Sequence, residues 1–444
     1  MVSAAEQLAS NLNFGAFAKA EDLKKRLWFT LAALLVYRLG TYIPIPGINP
    51  GAFADAFKNQ SSGILGMFNM FAGGAVERMA IFALNIMPYI SASIIMQLMT
   101  SVVPTLEALK KEGEQGRKQI NQYTRYLTVV LASLQAYGIG YGLQGSPNVV
   151  IEPGPFFLIS TVVTLVGGTM FLMWLGEQIT ARGVGNGTSL IIMAGIVAGL
   201  PSALAGLLEL SRQGAISWPV VFGLLFLMLA TVAGIVFIER AQRRLLIQYP
   251  KRQMGNRMFQ GDASHLPLKL NSSGVIPPIF ASSLLLLPIT VAQFAQGSGS
   301  EWLNAIVASL GRGQPMYLLV YVTLIVFFAF FYTSIVFNPQ ETADNLRKYG
   351  GFLPGIRPGA KTAEYIDYVL TRITVIGAIY LSIVCVLPEL LISYAAVPFY
   401  FGGTSLLIAV SVTMDTVAQI QSHLLAHQYE GLIKKAKLRG ATRR

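Results

Sequence analysis

The chain has 444 residues, of which 53% are hydrophobic and 12% charged, with mean hydropathy +0.56 and a formal net charge of +12. Soluble domains carry about a quarter charged residues, so a water-soluble enzyme, a disordered chain and a disulfide-framed secreted domain are all excluded. The single cysteine, Cys385, lies inside an apolar run and reads as a small buried side chain.

In chain order, residues 1–25 are polar, and the apolar run that follows ends at Pro44, Pro46 and Gly47 rather than at small residues, so no cleavable signal is expected. Residues 79–106, 126–151, 153–176, 183–208, 213–238, 270–300, 313–340 and 390–414 contain no Asp, Glu, Lys or Arg. A spanning helix needs roughly 20 apolar residues, and each of these runs is long enough. Two shorter runs, 27–37 and 373–388, are also strongly apolar, and the first continues past Arg38, whose long stem carries its charge outward. The runs are too long and too evenly apolar for the strands of a membrane barrel. The expected fold is therefore all-α, with ten transmembrane helices.

An even number of spans places both termini on one side. With the termini in the cytoplasm, 28 of the 33 Lys and Arg residues fall in cytoplasmic segments, leaving Arg38, Lys58, Arg78, Arg212 and Arg312 outside. That asymmetry fixes the expected orientation. Five spans precede roughly residue 210 and five follow, so halves that share a fold must be inverted. The expected organisation is a cytoplasmic segment 1–25, an N-terminal half 26–205, an outer hinge 206–218, a C-terminal half 219–422 and a basic tail 423–444. Loops 240–270 and 340–372 are both cytoplasmic and unusually long.

Between the first two spans lies the apolar stretch 61–74, SSGILGMFNMFAGG, too short to cross. It reads equally as a re-entrant piece beside an outer cavity or as an amphipathic helix on the outer leaflet. Arg243 to Tyr249 (RRLLIQY), followed after Pro250 by KRQMGNRMF with Gly255 and Asn256 as turn formers, predicts a basic β-hairpin. The stretch 349–359 is punctuated by Pro354, Pro358 and several glycines, with Arg357 near its tip.

Groups for chemistry are scarce, and no enzyme activity is expected. Gly355 to Thr362 has Ala360 where a phosphate loop needs glycine. His423 and His427 stand one turn apart with only Glu430 nearby, and His265 is remote, so no metal site is expected. Glu177, Glu239 and Asp415 lie toward cytoplasmic span ends rather than at the midplane, where an ion-coupled transporter places charge. Neutral polar residues are present instead: Asn85, Ser91, Ser93 and Gln97 in the second span, Gln135 in the third, Ser282 and Ser283 in the seventh. They fit a pathway lined by neutral groups or simple bridges between helices. Gly195 and Gly199 form a small-residue packing face.

PIPGINP (44–50), MFNMFAGG (67–74), ALNIMPYISASIIMQL (83–98), GNGTSLIIMAGIVAGLP (185–201), HLPLKLNSSGVIPPIFASS (265–283), ETADNLRKYGGFLPGIRPG (341–359), FGGTSLLIAV (401–410) and MDTVAQIQ (414–421) occur in this order. The chain resembles, end to end, the SecY/Sec61-alpha family of protein-conducting channel subunits. Pro278 stands where that family often has a small residue. The resemblance implies an hourglass pore narrowed by Ile86, Ile90, Ile192, Ile196, Ile279 and Ile408. It implies a plug in 61–74 carrying Ser62, Gly63, Ile64, Met67, Phe68, Met70 and Phe71. Spans two, three, seven and eight would form a lateral gate bearing Ser91, Ser93, Gln97, Gln135, Ser282 and Ser283. The two long loops would dock the SecA ATPase or the ribosome through Arg357, Arg252, Arg257 and Lys251. Further implications are SecE and SecG as channel subunits, secretory preproteins and signal sequences as clients, anionic lipids, SecDF and YidC as associates, no cofactor, and a bacterial inner-membrane location. The rival reading is a secondary transporter of a small solute, which shares the inverted repeat.

Overall fold

The computed structural model describes residues 21–60, 69, 72–144, 148–214, 216–249, 252–254, 257–259, 263–295, 314–395 and 403–441. The helices are α1 (Glu21–Gly40), α2 (Pro50–Gln60), α3 (Met87–Val102), α4 (Pro104–Lys111), α5 (Glu114–Gln144), α6 (Pro155–Arg182), α7 (Gly187–Arg212), α8 (Trp218–Arg240), α9 (Ile276–Ala295), α10 (Pro315–Val336), α11 (Pro339–Lys348), α12 (Ala360–Ala395) and α13 (Gly403–Ala441). Four strands stand between α8 and α9: β1 (Gln242–Gln248), β2 (Arg252–Met254), β3 (Arg257–Phe259) and β4 (Ala263–Lys269).

Every one of the ten apolar runs holds a helix: α1, α3, α5 to α10, α12 and α13. Among the described residues, seven helices are long and apolar enough to cross a membrane, and an eighth crossing follows if α3 and α4, bent by 98° at Val103, count together. In α1 the charges before residue 27 shorten the apolar stretch, and in α9 the apolar segment described is Ile276–Leu285. Trp28, Trp174 and Trp218 are all exposed and stand near the ends of their apolar runs, the level an indole prefers.

The run 79–106 is not one continuous helix. Residues 72–86 form successive turns in which Met79 and Asn85 take positive φ values of 43° and 50°. Asn is the commoner non-glycine occupant of that region, and its turn delays the helix to Met87, with Pro88 in the first turn. Pro104 then ends α3, because proline drives the preceding residue to extended backbone; Val103 has ψ 115°. Residues 206–212 of the expected hinge are the last turns of α7, so the non-helical connection described there is short.

The described residues of Met1–Ser202 and Val412–Arg444 form one compact unit, and those of Ala203–Ser411 form a second. In the first, α3 packs on α5 and α5 on α6 around a core that includes Ile45, Ala75, Ala80, Ala132, Ala136 and Leu165. In the second, α10 packs between α9 and α12. Hydroxyls within helices are satisfied locally: Thr128, Thr164, Thr180, Thr333 and Thr374 each donate to the carbonyl four residues back. That back-bonding lets polar side chains sit in apolar helices.

Close packing of the first unit depends on Gly168 in α6, where any Cβ would overlap the carbonyl oxygen of Ile81. Its neighbour Gly167 faces open space. Gly168→Leu is therefore expected to destabilise the folded chain by about 1–3 kcal/mol, the usual cost of overpacking. Gly167→Leu should leave stability unchanged, and thermal melts in detergent measure both.

Candidate functional site

Ile86 occupies the N-cap position of α3, and its carbonyl accepts the amide of Ile90 at 3.1 Å. The two isoleucines therefore stand one turn apart, as the spacing predicts. Ile192 and Ile196 repeat this on α7, while Ile279 lies in the first turn of α9 and Ile408 in α13. Ile86, Ile192, Ile196 and Ile408 are buried; Ile90 and Ile279 are half-buried. Ile86, Ile90, Ile192 and Ile196 belong to one compact unit, and Ile279 and Ile408 to the other.

Ser62, Gly63, Ile64, Met67, Phe68, Met70 and Phe71 lie outside the described residues. The C-terminal end of their segment is described. Asn69 Oδ1 accepts the amide of Glu77 at 2.9 Å, and Asn69 Nδ2 donates to Glu77 Oε2 at 3.3 Å. Two arginines converge on one peptide oxygen beyond it: Arg38 Nη1 donates to Gly73 O at 2.6 Å and Arg78 Nη2 donates to the same atom at 3.1 Å. Both guanidinium carbons lie over the Tyr42 ring, at 4.8 Å and 4.2 Å from its centroid. A Cβ on Gly73 would stand 3.1 Å from Gly195 Cα, so the small residue on α7 is what admits this turn. Sequence reading placed both arginines on the outer side and missed their convergence, which has no local spacing to betray it.

Of the neutral polar residues, Ser91 is buried and Ser93 half-buried on α3. Gln97 Oε1 and Gln135 Oε1 are buried and make no hydrogen bond among the described residues. On α9, Ser282 Oγ donates to Pro278 O, while Ser283 Oγ is buried without a partner among the described residues. Glu177 is answered by Arg125, whose guanidinium reaches both carboxylate oxygens at 2.8 and 2.7 Å.

The predicted basic hairpin is present and more elaborate than its sequence suggested. β2 and β3 pair antiparallel, with Arg252 opposite Phe259 and Arg257 opposite Met254, while Gly255 and Asn256 lie outside the described residues. β1 pairs antiparallel with β4, a strand outside the sequence expectations, in which Pro267 stands opposite Arg244. Lys251 lies outside the described residues.

The two long loops are joined. Gln248 N donates to Phe352 O at 2.9 Å and Phe352 N returns a bond to Gln248 O at 3.0 Å. Under this bridge, Leu245, Leu268, Leu353, Ile366, Leu370 and Ile373 form one buried cluster. The ribbon's alternation explains it, since Leu245 and Ile247 point inward while Arg244, Leu246 and Gln248 face out. Asn338 caps α11 by accepting the amides of Gln340 and Glu341. Past that helix Gly355, at φ +81°, makes the turn a Cβ would strain. Arg357 follows, exposed, with its carbonyl held by the Thr362 hydroxyl at 2.9 Å. Nearby Lys361 is committed to Glu364 at 2.7 Å, a bond that raises the lysine pKa. Arg357 has no carboxylate within ion-pair distance among the described residues, so its charge is open to a partner.

Comparison with known proteins bears on what such an arrangement serves. A family model described as SecY matches residues 80–417. Protein translocase subunit SecY of Rickettsia conorii is 57% identical over 422 residues, covering 94% of this chain and 97% of the relative. Protein translocase subunit SecY of Escherichia coli is 55% identical over 423 residues, covering 94% and 96%. Among solved structures, one described as the structure of a protein conducting channel matches with TM-score 0.66 at 16% identity, covering 90% of this chain and 92% of that one. Sec61 in the canine ribosome–channel complex from the endoplasmic reticulum matches with TM-score 0.61 at 17% identity over 90% and 92%. These two likenesses establish the fold.

Proposed function

Because this chain belongs to the SecY family, we propose that it is the protein-conducting subunit of a translocase, passing unfolded secretory chains across the bacterial inner membrane and releasing hydrophobic segments sideways into lipid. The observation that carries this reading is the 57% identity with a translocase subunit across nearly both full lengths. It is a multi-pass membrane protein of helices, and its basic loops and both termini are assigned to the cytoplasm by the charge asymmetry.

In this reading the halves 26–205 and 219–422 are inverted about the 206–218 connection and enclose an hourglass pore. Ile86, Ile90, Ile192, Ile196, Ile279 and Ile408 form its constriction, where branched apolar side chains exclude water and ions until a polypeptide parts them. Residues 61–74 close the outer funnel. A client segment leaves between α3 and α5 on one side and α9 and α10 on the other. Its choice is thermodynamic: each leucine-like residue gains about 0.3–0.6 kcal/mol in lipid and each charge loses about 2.5–3.5 kcal/mol. A full apolar span therefore outweighs one charge, and no sequence-specific pocket is needed.

The joined loops dock the motor or the ribosome, with Arg357, Arg252, Arg257 and Lys251 as contacts; arginine suits ribosomal phosphate because its planar fork matches it. SecE and SecG complete the channel, SecA supplies ATP-driven force, and SecDF and YidC associate with it.

Site-specific crosslinking tests the pore. In a Cys385→Ala background, single cysteines at the six isoleucine positions should each crosslink to a stalled secretory chain, while a cysteine at exposed Phe226 on α8 should not. Crosslinking at Phe226 and at none of the six would overturn the assignment.

A further inference from the structure

Glu239 is the one acid of α8 and lies in its last turn, half-buried, beside Arg240. A carboxylate there faces the negative end of the helix dipole and borders hydrocarbon, and both are unfavourable. A residue that breaks local rules in this way is retained for a contact made elsewhere. That contact is Asn271, whose Nδ2 donates to Glu239 Oε1 at 2.6 Å, a short charge-assisted bond.

Asn271 is buried, and its side chain is fully used. An amide nitrogen carries two hydrogens; the second goes to Gly274 O at 3.0 Å, while Asn271 Oδ1 accepts the Ser273 hydroxyl at 3.0 Å. From another side α12 closes on the same turn, where a Cβ on Gly377 would stand 3.0 Å from Leu270 O. Past this knot the backbone is free. Gly274 has φ +63° and open space where a Cβ would be, and α9 begins two residues later at Ile276.

We infer that Glu239 and Asn271 are positioning residues that hold the root of α9 and so set how hydrophobic a client segment must be to part the gate. The inference rests on the channel reading, in which α9 carries Ile279, Ser282 and Ser283. Displacing α9 turns the backbone at Gly274 and draws Gly274 O off Asn271, whose aim Glu239 fixes. The pair therefore favours the arrangement observed, and a client must overcome it by its own transfer to lipid. Each leucine-like residue shifts that balance about twofold. A hydrogen bond to a charged group is worth about tenfold or more, so losing it offsets about three leucines in the signal sequence.

Inverted membrane vesicles holding the full chain test this by SecA-driven export of two preproteins, one with an intact signal sequence and one with about three leucines changed to Ala. The weak-to-intact ratio cancels any loss of folded subunit. Glu239→Leu, which removes the acceptor, should raise the ratio about tenfold. Glu239→Gln, whose Oε1 still accepts from Asn271, should stay within about threefold of the parent. Asn271→Ala should match Glu239→Leu, and the double variant should rise no further, because both remove one bond. An unchanged ratio, an equal rise with Gln and Leu, or additive rises in the double variant overturns the inference. Where Glu239→Leu fails to accumulate, Ser273→Ala decides, since it removes only the bond to Asn271 Oδ1: a rise of about threefold supports the pair and no rise overturns it. Failure of the parent chain to export either preprotein would overturn the channel reading itself, whereas export with an unmoved ratio overturns only the role of the pair.

Discussion

Arg357→Glu should reduce SecA-driven export of a preprotein into inverted membrane vesicles by more than tenfold, while the amount of assembled subunit in the membrane stays within experimental error of the parent. The separation of the two effects comes from where the residue sits. Its side chain is exposed, and what fixes the loop is main chain and neighbours: the Gly355 turn, the buried Leu353 and the Thr362 hydroxyl on the Arg357 carbonyl. Exposed substitutions away from such supports usually change stability by less than about 0.5 kcal/mol. At a docked surface the same change replaces a charge-assisted hydrogen bond with repulsion. Truncating one side of such a buried pair costs about 2–5 kcal/mol of affinity, which is a factor of about thirty or more. Vesicle export assays with an immunoblot for the subunit read both numbers, and normal export would remove Arg357 from the contact.

Replacing Ile408 or Ile192 with Asn should loosen the resting seal. Both side chains are buried, at 1% and 5% exposure. An amide placed there without partners destabilises the dry, closed arrangement by about 1–3 kcal/mol. The closed-to-open ratio then falls by roughly five- to 150-fold, on the rule that 1.4 kcal/mol is a factor of ten. Two readouts follow. Ion leak through membranes holding the variant should rise, and secretory proteins with weakened signal sequences should be exported better, because less of their binding energy is needed to open the pore. Unchanged leak together with unchanged tolerance would show that these residues are ordinary core.

The helical framework was legible because the penalty for placing a charge in hydrocarbon exceeds every local preference, so the absence of Asp, Glu, Lys and Arg marks each span. Where the helices begin and end was less so. The start of α3 is set by a left-handed turn at Asn85 inside a run that composition treats as uniform. Its end at Val103 is written in the following proline, which drives Val103 to extended backbone. β4 was hidden by Pro267, which pairs opposite Arg244 in a two-stranded ribbon where one N–H can be spared.

The candidate site was legible by a different route. Nothing about Ile86 or Ile196 in isolation distinguishes a pore residue from a core residue, and it was the ordered family motifs that singled them out. The supporting contacts escaped the sequence altogether. Arg125 and Glu177 are 52 positions apart, and Arg38 meets Gly73 across 35. Side chains brought together by tertiary packing leave no periodic trace.

The bridge between Gln248 and Phe352 links more than two loops. β1 follows α8 directly, Leu270 N bonds Ala241 O at 2.9 Å, and Asn271 Nδ2 ties to Glu239 at 2.6 Å just before α9 begins. A load applied at the Arg357 tip thus meets a braced crank rather than slack tether, whose far arm is the opening turn of the helix that bears Ile279, Ser282 and Ser283. Grip on that tip and leverage on that helix are mechanically one object.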